Sequence, residues 1–238
     1  RLTDEGAFTH LQVAPAGDVV FALRASYLAP PHPVRISLAD GTVTALNAPA
    51  PLPSLPGTLE DVDVLVADGT RVRAWLALPE GTSPDWQAPL VLWVHGGPLG
   101  SWNTWSWRWN PWMLVAAGYA VLMPDPALST GYGQAFVQRG WGRWGAEVYT
   151  DLTTITDAVA DRPDIDSTRT AMMGGSFGGY MANWMAGHTD RFRAIVSHAG
   201  LWALDQFGPT TDEASYRAHE MTPEMAFENS PYLSVSEI

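Results

Sequence analysis

The residues whose types and spacing suit them best to chemistry are Gly174-Gly175-Ser176-Phe177-Gly178-Gly179. The stretch 170–173 before them reads as a strand and 177–186 after them as a helix, so the chain must reverse direction at the serine within a residue or two. That reversal forces Ser176 into a strained backbone conformation and leaves no room for side chains at Gly174 and Gly178, the structural glycines of the elbow. The hydroxyl then projects above the sheet, where it can attack a carbonyl carbon, and the N–H groups after it point at the oxygen that becomes charged. A second segment, His95-Gly96-Gly97-Pro98, follows the apolar run 90–94 and is suited to supply another N–H to the same oxyanion. The candidate donors are Gly97 and Phe177, and His95 is read as orienting its loop by hydrogen bonding rather than as a base.

The elements that must position these residues change character along the chain. Runs at 19–23, 34–38 and 42–46 read as short strands, separated by a proline-rich connector (Pro30, Pro31, Pro33) and an Asp40-Gly41 hairpin turn. They predict one antiparallel meander of the kind that makes a single β-propeller blade, and one blade cannot bury both faces alone. Pro49, Pro51, Pro53 and Pro56 then mark a stiff linker. A hairpin about Asp68-Gly69 follows, and from residue 89 strands alternate with helices, as in a parallel α/β sheet. Asn110, Pro111 and Gly118 bracket a short helix, and Val148, Leu152, Ile155 and Val159 recur at helical spacing. The expected architecture is an α/β-hydrolase fold, C-terminally incomplete, preceded by the end of a β-propeller. The expected domains are 1–57, the last blade with the linker, and 58–238, the catalytic domain.

Composition excludes several chemistries. The 238 residues contain no cysteine, so thiol nucleophiles, cysteine-ligated metals and disulfides are absent from this chain, and all 13 basic residues are arginine, which removes lysine-based Schiff-base chemistry. A net charge of −12 makes nucleic acid and anionic membranes poor partners. No apolar run is long enough to span a bilayer. The absence of cysteine is compatible with a cytoplasmic setting, and sequence is expected before Arg1, which is not a natural start.

Taken together, His95-Gly96-Gly97-Pro98, Ser129-Thr130-Gly131-Tyr132-Gly133, Arg143-Trp144-Gly145 and the run from Gly174 to Tyr180 resemble the prolyl oligopeptidase family of serine peptidases, especially its acylaminoacyl-peptidase and dipeptidyl-aminopeptidase-like branch. Lipases and simple esterases share the first and last of these motifs but not the middle two. The resemblance covers most of residues 60–233. It implies that Ser176 is the nucleophile, that the Gly97 and Phe177 N–H groups form the oxyanion hole, that no cofactor is needed, and that a propeller restricts substrates to oligopeptides. The chain departs from the family pattern at Phe177, usually tyrosine, and at Pro126-Ala127-Leu128, more often Pro-Arg-Gly.

In this fold the triad runs Ser, then Asp or Glu, then His. Only 62 residues follow Ser176, and two further strand–helix units of about 30 residues each are needed for the acid and histidine. The triad Asp and His are therefore expected outside this chain. Asp205 or Asp212 with His219 has the right order but lies in a polar stretch read as a solvated helical cap, and His198 is read as a core histidine. Six tryptophans between Trp93 and Trp112 are read as core packing beside the loop, with Trp105, Trp109 and Trp112 on one helical face. The acid pairs Asp4-Glu5, Glu60-Asp61 and Asp212-Glu213 are read as surface, with no metal site, and Arg139 and Arg143 as salt-bridge partners. The expected partners are an oligopeptide and either the remainder of the same protein as a second chain or further copies of this one. A carboxylesterase and an inactive hydrolase-fold binding module remain open as other readings.

Overall fold

In a computed structural model of the chain, every residue is described except Arg1, Leu2, Asp4, Glu5, Trp105, Glu213 and 215–217. The pair Asp4-Glu5, Trp105 and Glu213 thus lie outside the described residues. The chain divides into two compact units, Arg1–Pro56 with Asn103–Met113, and Gly57–Trp102 with Leu114–Ile238.

The first unit is a four-stranded antiparallel sheet in sequential order: β1 (Ala7–Val13), β2 (Val19–Ser26), β3 (Ala29–Ser37) and β4 (Val43–Ala45). Ala22, Val34 and Ile36 form its small core, with Phe8, Val20 and Val43 against them. The prolines read as a connector lie inside β3. Val34–Ile36 pairs with β4 and the Pro33 carbonyl accepts the Leu46 N–H at 2.9 Å, while Pro30 and Pro31 lie beyond that pairing. Asn103–Met113 belongs to this unit because two indoles hold it there. Trp107 Nε1–H donates to the Ser26 carbonyl and Trp112 Nε1–H to the Tyr27 carbonyl. Trp109 and Trp112, expected on one helical face, do not share a helix, since α1 begins only at Trp112 (Trp112–Ala116), started by Asn110 Oδ1 accepting the Trp112 N–H at 3.0 Å.

The second unit is a six-stranded sheet of order β10-β9-β7-β8-β6-β5. Its strands are β5 (Gly57–Leu65), β6 (Arg71–Pro79), β7 (Ala88–Val94), β8 (Ala120–Asp125), β9 (Ile165–Gly175) and β10 (Ala194–His198). β7–β10 run parallel, while β5 and β6 form the antiparallel hairpin expected about Asp68-Gly69. β8 is buried at every residue and β7 at all but one, which explains their unbroken apolar runs. Helix α2 (Gln134–Gln138) leads through a π-helical turn (Trp144–Val148) into α3 (Tyr149–Ala160), which covers β5, β6, β8 and β9. Helix α4 (Phe177–Ala186) covers β7, β9 and β10, and α5 (Leu204–Thr210) and α6 (Pro223–Glu228) follow. One apolar core, from Val72 and Leu90 to Tyr180 and Met185, runs through the unit. No helix among the described residues is long and apolar enough to cross a membrane.

Arg139 and Asp151 form a largely buried ion pair in this unit. Asp151, 1% exposed in its side chain, accepts two hydrogen bonds from the Arg139 guanidinium at 3.0 and 3.1 Å and one from the Ala127 N–H at 2.8 Å. Burial raises its pKa against the opposing pull of Arg139. Arg139 also reaches Asp68, whose side chain is 52% exposed. Truncating the buried partner strands a backbone donor and a half-buried cation, whereas the outer carboxylate is screened by water. We expect Asp151→Ala to lower unfolding free energy by about 2–4 kcal/mol and Asp68→Ala by less than about 1 kcal/mol, measured by urea denaturation.

Candidate active site

Ser176 stands between β9 and α4 with φ 57° and ψ −115°, a conformation an L-residue adopts only when its surroundings impose it. Two backbone hydrogen bonds hold it: its N–H donates to the His198 carbonyl at 2.9 Å, and its carbonyl accepts the Tyr180 N–H at 2.8 Å. The expected glycine requirement has a geometric basis. A methyl group at Gly174 would lie 2.4 Å from the Gly178 carbonyl, one at Gly178 2.1 Å from the Val94 carbonyl oxygen, and one at Gly179 2.7 Å from Gly200 Cα. The first turn of α4 therefore lies directly on the end of β7. Ser176 itself is exposed, while Phe177 is buried with its ring edge-on to Trp144 at 4.9 Å between centroids.

The loop after β7 comes against the elbow, since a methyl at Gly96 would sit 3.6 Å from Ser176 Cβ. Gly97 has φ 133°, and a side chain there would meet the Leu99 nitrogen at 2.6 Å. His95 Nδ1–H donates to the Gly96 carbonyl at 2.7 Å, and its Nε2 accepts from the Ser129 hydroxyl at 2.9 Å. Burial is the main cause that lowers its pKa, opposed by the Asp125 carboxylate 3.6 Å away and by the Gly96 carbonyl. His95 is thus a neutral strut for the loop, as expected, and its serine partner is fully buried. Asp125, missed in the sequence, ends β8 at 3% exposure and accepts from Ser101 Oγ–H at 2.6 Å, Trp102 N–H at 2.8 Å and Tyr132 O–H at 2.7 Å. Its visible signal is an acid closing the apolar run 120–123. The Thr130 N–H donates to the Gly100 carbonyl at 2.8 Å, so the loop and the Ser129–Gly133 motif are tied together.

The other candidates fall elsewhere. Among the described residues the Ser176 hydroxyl has no histidine partner. His198 is exposed in this chain, where β10 pairs with β9. Asp205, Asp212 and His219 are exposed, and Asp205 lies 3.4 Å from Ser230 Oγ. Trp93, Trp102 and Trp112 are buried, but Trp109 is 44% exposed. Glu60 and Asp61 pair with Arg162 and Arg73, and Arg143 pairs with Glu147. Among the described residues no cluster of three His, Asp or Glu side chains is arranged to hold a metal ion.

A mixed sheet whose parallel strands carry a strand–serine–helix elbow, with a glycine loop on the adjacent strand end, is an α/β-hydrolase fold. The four-stranded meander before it is of the kind that forms a β-propeller blade. The model of the prolyl oligopeptidase family matches residues 105–237, more than half of the chain, and the chain belongs to that family. It is 31% identical over 227 residues to dipeptidyl-peptidase 5 of Schizosaccharomyces pombe, covering 92% of this chain and 32% of that protein. It is 38% identical over 167 residues to dipeptidyl-peptidase 5 of Trichophyton equinum, covering 67% and 23%. Among solved structures it superposes on an acylaminoacyl peptidase of Pyrococcus horikoshii with TM-score 0.84 and 20% identity, covering 99% of this chain and 39% of that one. A puromycin-hydrolyzing peptidase of Mycobacterium tuberculosis gives TM-score 0.76 and 26% identity, covering 90% and 35%. The chain thus spans a third or less of the length of the two dipeptidyl-peptidases.

Two stability measurements probe this geometry. At φ 57° glycine relieves strain that alanine retains, so Ser176→Gly is expected to be about 1 kcal/mol more stable than Ser176→Ala, the reverse of the usual order. For His95 the folded state favours the neutral form, while the unfolded chain takes up a proton below the ordinary value of 6.5. Stability is therefore expected to fall as pH drops below 6.5, by up to about 1.4 kcal/mol per pH unit from this group. Urea midpoints at pH 7.5 and about pH 5.5 test this, with a shallower slope for His95→Gln.

Proposed function

We propose that this chain supplies the nucleophile and oxyanion hole of a serine peptidase that cleaves short peptides through an acyl-enzyme. Ser176 Oγ attacks the scissile carbonyl carbon, its proton passes to a histidine, and the carbonyl oxygen takes up the negative charge. The Gly97 and Phe177 N–H groups stabilise that oxyanion, helped by the N-terminal end of α4. Collapse of the tetrahedral species expels the amine with the proton, and water then hydrolyses the ester on Ser176. The histidine and its acid belong to residues outside this chain.

The observation that carries this reading is the exposed Ser176 in a backbone conformation held by its neighbours, with the Gly96-Gly97 turn against it. The matched relatives are peptidases by name, which supports amide rather than ester substrates. The buried Phe177 supports the view that only its backbone acts, so the tyrosine usual there is dispensable.

The test is intact mass spectrometry of the natural full-length protein after treatment with a fluorophosphonate. We expect one adduct, mapping to Ser176 and absent from Ser176→Ala, whose peptide turnover falls by at least about 10⁴-fold. Turnover of simple esters without peptides would instead indicate a carboxylesterase. A folded protein that takes no adduct yet binds peptides would indicate a binding module.

A further inference from the structure

We infer that Asp125 is the positioning residue that sets the oxyanion loop, an inference resting on the reading of Gly97, Ser176 and Phe177 above. Within the loop 95–102, the Gly100 N–H donates to the Pro98 carbonyl at 2.8 Å, the His95 ring bonds the adjacent carbonyl, and that ring stands edge-on to Trp102. Its other anchors come from outside. At its far end, Ser101 Oγ–H and Trp102 N–H both converge on the Asp125 carboxylate. In its middle, the Gly100 carbonyl takes the Thr130 N–H, and at its near end His95 takes the Ser129 hydroxyl. The segment supplying those two anchors is itself fastened to Asp125 through the Tyr132 O–H. Asp125 therefore joins both ends of the arrangement that places Gly97 beside Ser176.

The choice of a carboxylate follows from the number of donors. Three O–H or N–H groups point at one side chain that is almost fully buried, and an ionised carboxyl has acceptor sites for all of them. An amide offers one acceptor oxygen and turns an NH₂ toward the remaining donors, so at least one bond must break. Displacing an oxyanion donor by as little as about 1 Å can lower turnover about 100-fold without weakening ground-state binding.

The experiment uses the natural full-length protein, Asp125→Asn and the milder Ser101→Ala, with urea midpoints recorded for each. For Asp125→Asn we expect kcat on a peptide amide to fall about 10- to 100-fold while KM moves less than about 3-fold. The rate of fluorophosphonate labelling and the affinity for a peptide aldehyde, which forms a tetrahedral adduct, should fall by a similar factor. Binding of a product peptide should not change. Ser101→Ala should show a smaller fall of the same kind.

A folded Asp125→Asn protein with kcat within about 3-fold of wild type, or with wild-type aldehyde affinity, overturns the inference. If Asp125→Asn does not fold, Ser101→Ala decides, and an unchanged kcat there overturns it too. Wild-type protein that takes no label at Ser176 removes the site reading and this inference together. A labelled wild type with unaffected variants removes this inference alone.

Discussion

Backbone packed on backbone at the start of α4 is the constraint on which the rest of the site depends. Gly178 lies so close to the Val94 carbonyl, Gly179 to Gly200 and Gly174 to Gly178 that no side chain fits in any of the three gaps. Contacts of this kind have no rotamers to adjust, so the helix start, the end of β7 and the end of β9 are tightly constrained relative to one another. The strain at Ser176 is sustained because its N–H and carbonyl are both hydrogen-bonded and the helix after it is anchored by buried Phe177, Tyr180, Met181 and Met185. Apolar burial beneath the elbow thus holds in place a backbone conformation that the serine alone would not adopt.

A second layer of order is polar. Loop 95–102 carries its own positive-φ glycine at Gly97 and cannot be held by side-chain packing where its backbone must stay open toward Ser176. Its fixed points are instead a neutral imidazole and a buried carboxylate at the ends of neighbouring parallel strands. Those strand ends are where ligands bind in open α/β sheets, because loops diverge there and backbone groups are left unpaired. Asp125 and Asp151, two of the buried acids among the described residues, illustrate different solutions. Asp151 is matched by a cation, while Asp125 accepts hydrogen bonds from two hydroxyls and a backbone N–H.

The elbow was legible in the sequence because everything that defines it is local: glycine spacing, an apolar strand before, a helical pattern after. The parallel strands and the Asn110 cap were legible for the same reason. Long-range pairings were not. Trp105, Trp109 and Trp112 read as one helical face, but the Trp107 and Trp112 indoles donate to the carbonyls of Ser26 and Tyr27, some eighty residues upstream. Prolines in β3 read as a connector because only the sheet reveals which edge of a strand is unpaired. Asp125 passed unnoticed because its meaning comes from Ser101 and Tyr132, which no spacing rule joins to it.

On the proposed reading, the catalytic work divides along a physical line. Stabilising an oxyanion requires dipoles already in place before charge appears, and that is a property of rigid backbone: Gly97, Phe177 and the turn of helix behind it. Moving a proton requires a titratable side chain whose affinity changes during the cycle, which tolerates some freedom of orientation. The first task is built almost wholly from glycine contacts and buried polar struts at the ends of neighbouring strands of the sheet. The second depends on a histidine carried elsewhere. A fold arranged in this way can keep the charge-stabilising half of its machinery constant while the proton carrier and the surfaces that choose the substrate vary, since neither is needed to shape the elbow.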